Sequence, residues 1–233
     1  MQEIRYAMVD GEKVPVLISD ENEALQAAKV ARRAVVGLWR EDGKENEWCA
    51  DTLITDVEDA DEEFLERIAR RHLGLPWTIC ETERLILREI AERDYEEIVK
   101  NHVDDGLDTA EKIAGYTKRH YEVFEFGFWA VEEKKSGNLT GVVGFRIPQD
   151  DGIGDVDYYV LSLDDENILD DTLELGYHIF PEYRRKGYAK EACRAAIEYA
   201  EEEFGTVQFI VRIGKENIVS KKVAESLGFV RTE

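Results

Sequence analysis

Residues 172–204 read TLELGYHIFPEYRRKGYAKEACRAAIEYAEEEF. Their first part, TLELGYHIF (172–180), has the apolar run and alternation of a strand. From Gly187 to Phe204 the apolar positions Tyr188, Ala192, Ala196, Tyr199 and Ala200 recur at helical spacing, so one face of a long helix packs on a core. Between them stand Pro181 and the cations Arg184, Arg185 and Lys186, with Lys190 one turn later. A helix N-terminus presents amides without intrahelical partners and the positive end of the dipole, so this turn combines charge and donors at one point. Gly187 lets the backbone approach a ligand closely, and the spacing R-x-x-G-x-A places small residues where a diphosphate would press. A solvated basic turn opening a core-packed helix fits the same residues. A phosphate loop of the G-x-x-x-x-G-K-[ST] kind does not occur.

Around this centre the chain is strongly acidic, with a formal charge of -22 over 233 residues. Such a surface repels nucleic acid and anionic membranes, so neither is an expected partner, and it favours a cationic substrate such as an amine. Solubility explains the charge equally well. Cys49, Cys80 and Cys193 are odd in number and widely spaced, which argues for reduced thiols in a cytoplasmic protein and against a disulfide framework or a metal site. No leader peptide and no spanning apolar run is expected.

Two regions are expected. Residues 1–77 form a small α/β unit, with strands at 14–19, 34–39 and 51–56 in a parallel sheet. Asp20 is expected to cap a helix from Glu21 to Arg33, and Asp61 to open another to His72. LGLPW (73–77) reads as the linker. Residues 78–233 read as α+β with a mostly antiparallel sheet flanked by helices. They hold a strand at 84–90, helices at 91–101 and 109–124, and a hairpin turning at Lys135–Asn138. A strand at 207–213 and a helix at 217–227 follow. The segment 150–171 carries nine acidic residues and no basic one. It reads as an insertion that recruits a cationic substrate or forms a solvated hairpin.

LELGYHIFPEYRRKGYAKEACRAAIEYA, followed by ENIVSKKVAESLGF, resembles the GCN5-related N-acetyltransferase (GNAT) family, in the branch of the ribosomal-protein N-terminal acetyltransferases. TERLILREIAERDYEEIVK resembles that branch's opening strand and helix. The resemblance covers residues 80–233. It implies a GNAT fold and transfer of an acetyl group from acetyl-CoA to a primary amine of a small molecule or protein N-terminus, without a metal. A non-catalytic acyl-CoA binding or sensor module is the alternative.

By this resemblance Arg184, Arg185, Lys186, Gly187, Tyr188, Ala189 and Lys190 cradle the pyrophosphate. The backbone of Ile179 and Phe180 holds the pantetheine arm like an added strand, and Asn217 contacts the cofactor or the reacting centre. Glu174 is the base candidate: it points opposite to Leu173 and Leu175, on a face where partial burial can raise a carboxyl pKa. A strand glutamate with a structural role is the other reading. Relatives often carry a tyrosine acid where this chain has Ala224, so Ser220 is the substitute acid, or else a cap of the last helix. Tyr177, Tyr188 and His178 read first as packing residues. The family's further strand after Leu-Gly-Phe is missing or very short here, and a partner chain, hence a homodimer, could fill the gap. Residues 14–73 faintly resemble the C-terminal part of haloacid-dehalogenase-like hydrolases, without the nucleophile motif. A structural or substrate-selecting domain follows from that.

Overall fold

The computed structural model describes residues 1–40, 50–103, 105–148, 155–162 and 172–232. Cys49, Asp164 and Asp165 lie outside them. The chain divides into two compact units, Met1–Trp77 and Thr78–Glu233.

In the first unit, β1 (Gln2–Val9) and β2 (Glu12–Ser19) form a hairpin over the turn Asp10-Gly11, both at positive φ. Helix α1 (Asn22–Val30) crosses to β3 (Ala34–Leu38), which lies parallel to β2 and to the short β4 (Leu53–Ile54). Helix α2 (Glu62–His72) is capped by Asp61, whose carboxylate accepts the Phe64 N–H at 2.8 Å. Two expectations are corrected. The sheet is mixed, because β1 is an antiparallel strand; only Ala7 and Val9 of it are buried, which hid its alternation. Asp20 does not cap α1. Its carboxylate binds the Met1 ammonium and, at 2.8 Å, Arg40 Nε.

The second unit is built on an eight-stranded sheet in the order β12-β9-β11-β10-β8-β7-β6-β5. β5 (Thr78–Glu81), β6 (Leu85–Arg88), β7 (Phe128–Glu133) and β8 (Asn138–Arg146) form an antiparallel meander. Helices α3 (Tyr95–Lys100) and α4 (Ala110–Arg119) lie between β6 and β7, and α4 continues into a π-helical turn, His120–Phe124. After β9 (Val156–Ser162) come β10 (Thr172–Ile179), α5 (Tyr188–Phe204), β11 (Gln208–Gly214), α6 (Ile218–Leu227) and β12 (Val230–Arg231). Ala192, Ala196 and Ala200 bring α5 close to one sheet face, against Trp129, Phe145, Leu175 and Phe209. Ile98 of α3 and Ile113 of α4 pack with Ala130, Val142 and Phe180 on the other. This is an α+β sandwich of helices about one sheet. Among the described residues its only parallel neighbours are β10 and β11.

Two departures from the family pattern turn out to be one. The acidic insertion supplies β9, which pairs antiparallel with β11 over its whole length, from Gln208↔Ser162 to Gly214↔Val156. β12 then adds outside β9. The edge of β11 is therefore covered from within the chain, and no partner chain is needed there. The described acids of the insertion are also not free to recruit an amine. Asp155 pairs with Lys215 at 2.7 Å. Asp157, nearly buried, takes Lys221 of α6 and Arg231 of β12, each at 2.5 Å. Both of its cations matter electrostatically: Lys221 first, then Arg231, hold its carboxyl below the usual aspartate range.

The unfolded chain therefore takes up this proton at higher pH than the folded one. The stabilisation is complete above about pH 4, the ordinary aspartate value, and is lost as pH falls through the lower folded value. Asp157→Asn should melt below wild type at pH 7, and the gap should close on acidification. Melting temperature against pH for both proteins checks this.

Candidate active site

β10 and β11 are paired only at Thr172↔Gln208, Leu173↔Phe209 and Glu174↔Ile210. Beyond that rung β10 stays on β8 as far as Ile179↔Gly141, while β11 leaves it. Backbone groups of alternate residues point to opposite edges of a strand. The Phe180 N–H donates to Thr140 O at 2.9 Å, so the even residues of β10 serve β8. Tyr177 and Ile179 consequently face the fork.

The fork opens into a cavity of about 660 Å³, within the usual range of ligand sites. One wall is Tyr177, His178 and Ile179; the other is Asn217, Val219, Ser220 and Val223 from the start of α6; the basic turn closes the end. Of the expected site residues, Ile179, Arg184, Arg185, Gly187, Tyr188, Ala189, Lys190, Asn217 and Ser220 all line it.

Three do not. Phe180 is fully buried in the core with α3 and α4, and its N–H is already bound to β8. The backbone that can receive an extended ligand belongs to Tyr177 and Ile179, one residue out of phase with the expectation for Phe180. Lys186 turns its ammonium over the Tyr183 ring, 4.7 Å from the centroid. Glu174 lies at the crotch of the fork, 2 % exposed. Its Oε1 accepts Arg146 of β8 at 2.6 Å and Arg212 of β11 at 3.0 Å. That is not the apolar setting expected from its leucine neighbours, because they point to the other face. Its Oε2 has no hydrogen-bond partner among the described residues.

At the turn, Arg185 (φ +61°) and Gly187 (φ +84°) both adopt the left-handed conformation, the kind of backbone from which anion-binding concavities of amides are built. Arg184 donates from Nε to Ile179 O at 2.8 Å and so fixes the end of β10. Arg185 and Lys190 also line the cavity, and neither side chain makes a hydrogen bond or ion pair among the described residues. The amides of Tyr188, Ala189 and Lys190 open α5 and so lack intrahelical partners.

On the opposite wall Asn217, not Ser220, caps α6: its Oδ1 accepts the Ser220 N–H at 3.1 Å. The Ser220 hydroxyl instead accepts from Tyr177 OH at 3.0 Å across the cavity. Burial pushes the Tyr177 phenol up, partly offset by Ser220, so it is protonated at neutral pH. His178 is pushed down by burial and then by Arg184, which leaves it neutral there. Tyr177 could have been found by counting two residues back from Ile179; the Ser220 contact, set by the divergence of two strands, had no local signal.

The profile of the acetyltransferase (GNAT) domain matches residues 84–230, well over half of the chain. The chain belongs to the GNAT family. Two proteins of Bacillus subtilis (strain 168), the uncharacterized N-acetyltransferases YnaD and YoaA, are 26% and 27% identical to this GNAT chain. The matches run over 150 and 157 residues, covering 64% and 65% of it and 81% and 82% of them. The spermidine N-acetyltransferase of Vibrio cholerae, solved with CoA and spermine, superposes with a TM-score of 0.50. It has 17% identity, over 65% of this chain and 84% of that one, which speaks for the fold. Residues 1–77 lie outside the matched GNAT domain, and the haloacid-dehalogenase resemblance gains no support.

Glu174 joins three strands at the fork, so its loss should be felt in stability. Removing one partner of a buried ion pair costs about 3–5 kcal/mol, and the partial exposure of Arg146 argues for the lower end. Glu174→Ala should be destabilised by about 3 kcal/mol, measured by urea denaturation of the full chain.

Proposed function

We propose that this GNAT enzyme performs its transfer of an acetyl group from acetyl-CoA to a primary amine at the β10–β11 fork. The observation that carries this reading is the coincidence of three features in one cavity: a strand edge left unpaired by β11, a left-handed turn at a helix N-terminus, and two cations, Arg185 and Lys190, without a side-chain bond among the described residues. The strand edge suits the amide-bearing pantetheine arm, which can bond to Tyr177 and Ile179 like an added strand. The amides of residues 187–190, with Arg185 and Lys190, suit the pyrophosphate.

The chemistry then falls to the residues at the open end of the fork. The amine attacks in its neutral form, so a proton has to leave it. Glu174 is our candidate acceptor through Oε2. It does not line the cavity, so the proton travels by way of water. The departing thiolate needs a proton in return. Ser220 can give its own while taking that of Tyr177, which solvent then restores. This assigns Ser220 the acid role and Tyr177 the reserve behind it, in place of a tyrosine at Ala224. Asn217 acts by capping α6 and so fixing Ser220.

The acceptor is a primary amine of a small molecule or a protein N-terminus. Residues 1–77 are read as a non-catalytic unit, since they carry no nucleophile motif of the hydrolases that they faintly resemble. Among the described residues no helix is long and apolar enough to cross a membrane, and Cys80 and Cys193 are free thiols. The thiols support a cytoplasmic setting. Association into a homodimer stays a reading for solution measurement, without the missing strand as its reason.

The testing experiment is titration calorimetry with CoA on wild type and Gly187→Trp. A side chain at φ +84° is strained, and its Cβ would lie 3.4 Å from Arg84 Nη2. CoA binding should be lost in a folded variant; unchanged affinity would remove the pyrophosphate from this turn. A panel of amines with acetyl-CoA, followed by thiol release, then identifies the acceptor.

With that acceptor in hand, Glu174→Gln should bind CoA normally and lose about 10²–10⁴ in kcat at neutral pH. The defect should shrink as pH rises and more amine is already neutral. Full kcat at neutral pH, measured on the folded fraction, would dismiss Glu174 as the base.

A further inference from the structure

The segment TERLILR, at the β5–β6 turn, has no role in the chemistry above, yet its Arg84 reaches the turn that ends the cavity. Arg84 donates from Nη1 to the backbone carbonyl of Lys186 at 2.9 Å. Nε donates to Glu191 Oε2 at 2.7 Å, and Nη2 binds the same oxygen. Glu191 Oε1 takes the Thr82 hydroxyl at 2.6 Å and the Arg84 N–H at 3.0 Å. Lys134 of the β7–β8 turn donates to Thr82 O at 2.6 Å, so the β5–β6 turn is itself held. The guanidinium also lies over the Tyr188 ring, 4.8 Å from its centroid, and the Tyr188 hydroxyl binds Glu133 of β7.

The contact with Lys186 O fixes more than a side chain. A trans peptide is planar, with its C=O and the next N–H pointing in opposite directions. The carbonyl of Lys186 is turned to Arg84, so the N–H of Gly187 is turned away from it. Gly187 lines the cavity and sits between left-handed Arg185 and the first turn of α5. A flip of this one peptide would replace a donor by a carbonyl oxygen in the array that faces the ligand. Gly187 makes such a flip easy, since glycine populates both signs of φ. Arg84 opposes it with a charge-assisted hydrogen bond.

Glu191 presents a second problem that Arg84 answers. It is the acidic residue in the first turn of α5. A carboxylate there repels any phosphate arriving at the same helix end. Its side chain is 18% exposed and both its oxygens are occupied by Arg84 and Thr82. The charge is thereby neutralised beside the anion site and converted into an anchor for the guanidinium.

We propose that Arg84, anchored by Glu191, is the positioning residue of the phosphate-binding turn: it orients the Lys186–Gly187 peptide so that the amide faces the diphosphate of the cofactor. This rests on the reading of the cavity as the CoA site. It predicts a defect confined to the phosphate-bearing part of the ligand.

The experiment is calorimetry on the full chain with CoA and, separately, with pantetheine, which lacks the phosphates. Arg84→Met keeps the stem that covers Tyr188 and removes the donors. Its Kd for CoA should rise about 10- to 100-fold, the size of a charge-assisted hydrogen bond, while pantetheine binds as in wild type. Arg84→Lys serves if Arg84→Met fails to fold. It keeps the ion pair with Glu191 and cannot span both partners, so it should melt near wild type and still lose several-fold in CoA affinity. Wild-type CoA affinity in a folded Arg84 variant overturns the proposal, and so does an equal loss for both ligands, which marks Arg84 as a residue of the fold alone. Gly187→Trp separates the two levels. If it abolishes CoA binding while the Arg84 variants bind normally, only the positioning role falls. If it too binds CoA normally, the reading of the cavity falls first.

Discussion

The parting of β10 and β11 after Glu174↔Ile210 is the constraint on which the site depends. Two parallel strands that diverge each leave an edge of backbone donors and acceptors, and buried groups of that kind are costly without partners. This structure resolves the two edges differently. β11 turns its other edge to β9 and keeps a full ladder there. β10 keeps its ladder to β8 and offers the fork side to a cavity, with Ile179 O taken by Arg184. Glu174 sets where the parting begins. Its carboxylate draws Arg146 and Arg212 together across β10 at the last shared rung. Below it the sheet is continuous, and above it the strands are free to separate.

The inserted strand matters for the same reason. Without a neighbour, β11 would be an edge strand leaving the sheet with only part of its length paired, and its direction would be poorly fixed. β9 supplies that neighbour, and Asp157 of β9 then reaches Lys221 on α6. Lys221 also donates to Lys215 O, 2.6 Å away, in the turn between β11 and α6. Insertion, strand and helix are thus tied into one wall, and that wall carries Asn217 and Ser220. An acidic segment that invites a reading as bait for cations is, in its described part, the brace of the cavity.

Much of this was legible. The strand at 172–179, the helix from Tyr188, the hairpin at 128–146 and the crowding of cations at the turn follow from periodicity and helix-end electrostatics, which are local. The misplacements share a non-local cause. Whether Phe180 or Tyr177 offers its backbone to the fork depends on which edge of β10 is paired, and that is decided by β8, thirty-odd residues upstream. The expectation of an apolar setting for Glu174 took its neighbours along the chain as its surroundings. Across the sheet the neighbours are Arg146 and Arg212. Asp20 and Asp157 looked like a cap and a recruiting acid for the same reason: their partners Arg40, Lys221 and Arg231 are remote in sequence. β12, with Val230 and Arg231 both exposed, is too short to show alternation.

The charge at the turn closes the argument about how an acidic protein holds an anionic ligand. At a formal charge of -22, the field of the whole chain opposes the approach of a polyphosphate. Four cations at the turn look like the remedy, yet Arg184 is engaged with Ile179 O and Lys186 with the Tyr183 ring. What remains at the cavity is Arg185, Lys190 and a row of backbone amides. Salt screens the distant carboxylates within about 8–10 Å, whereas it barely touches hydrogen bonds made at contact distance in a partly enclosed site. An amide array is therefore the part of the site least sensitive to the unfavourable field around it. It is also the part whose value depends wholly on orientation, because a reversed peptide presents an acceptor in place of a donor. That is why the geometry of one peptide, held from behind by Arg84, carries more weight here than another lysine on the surface would.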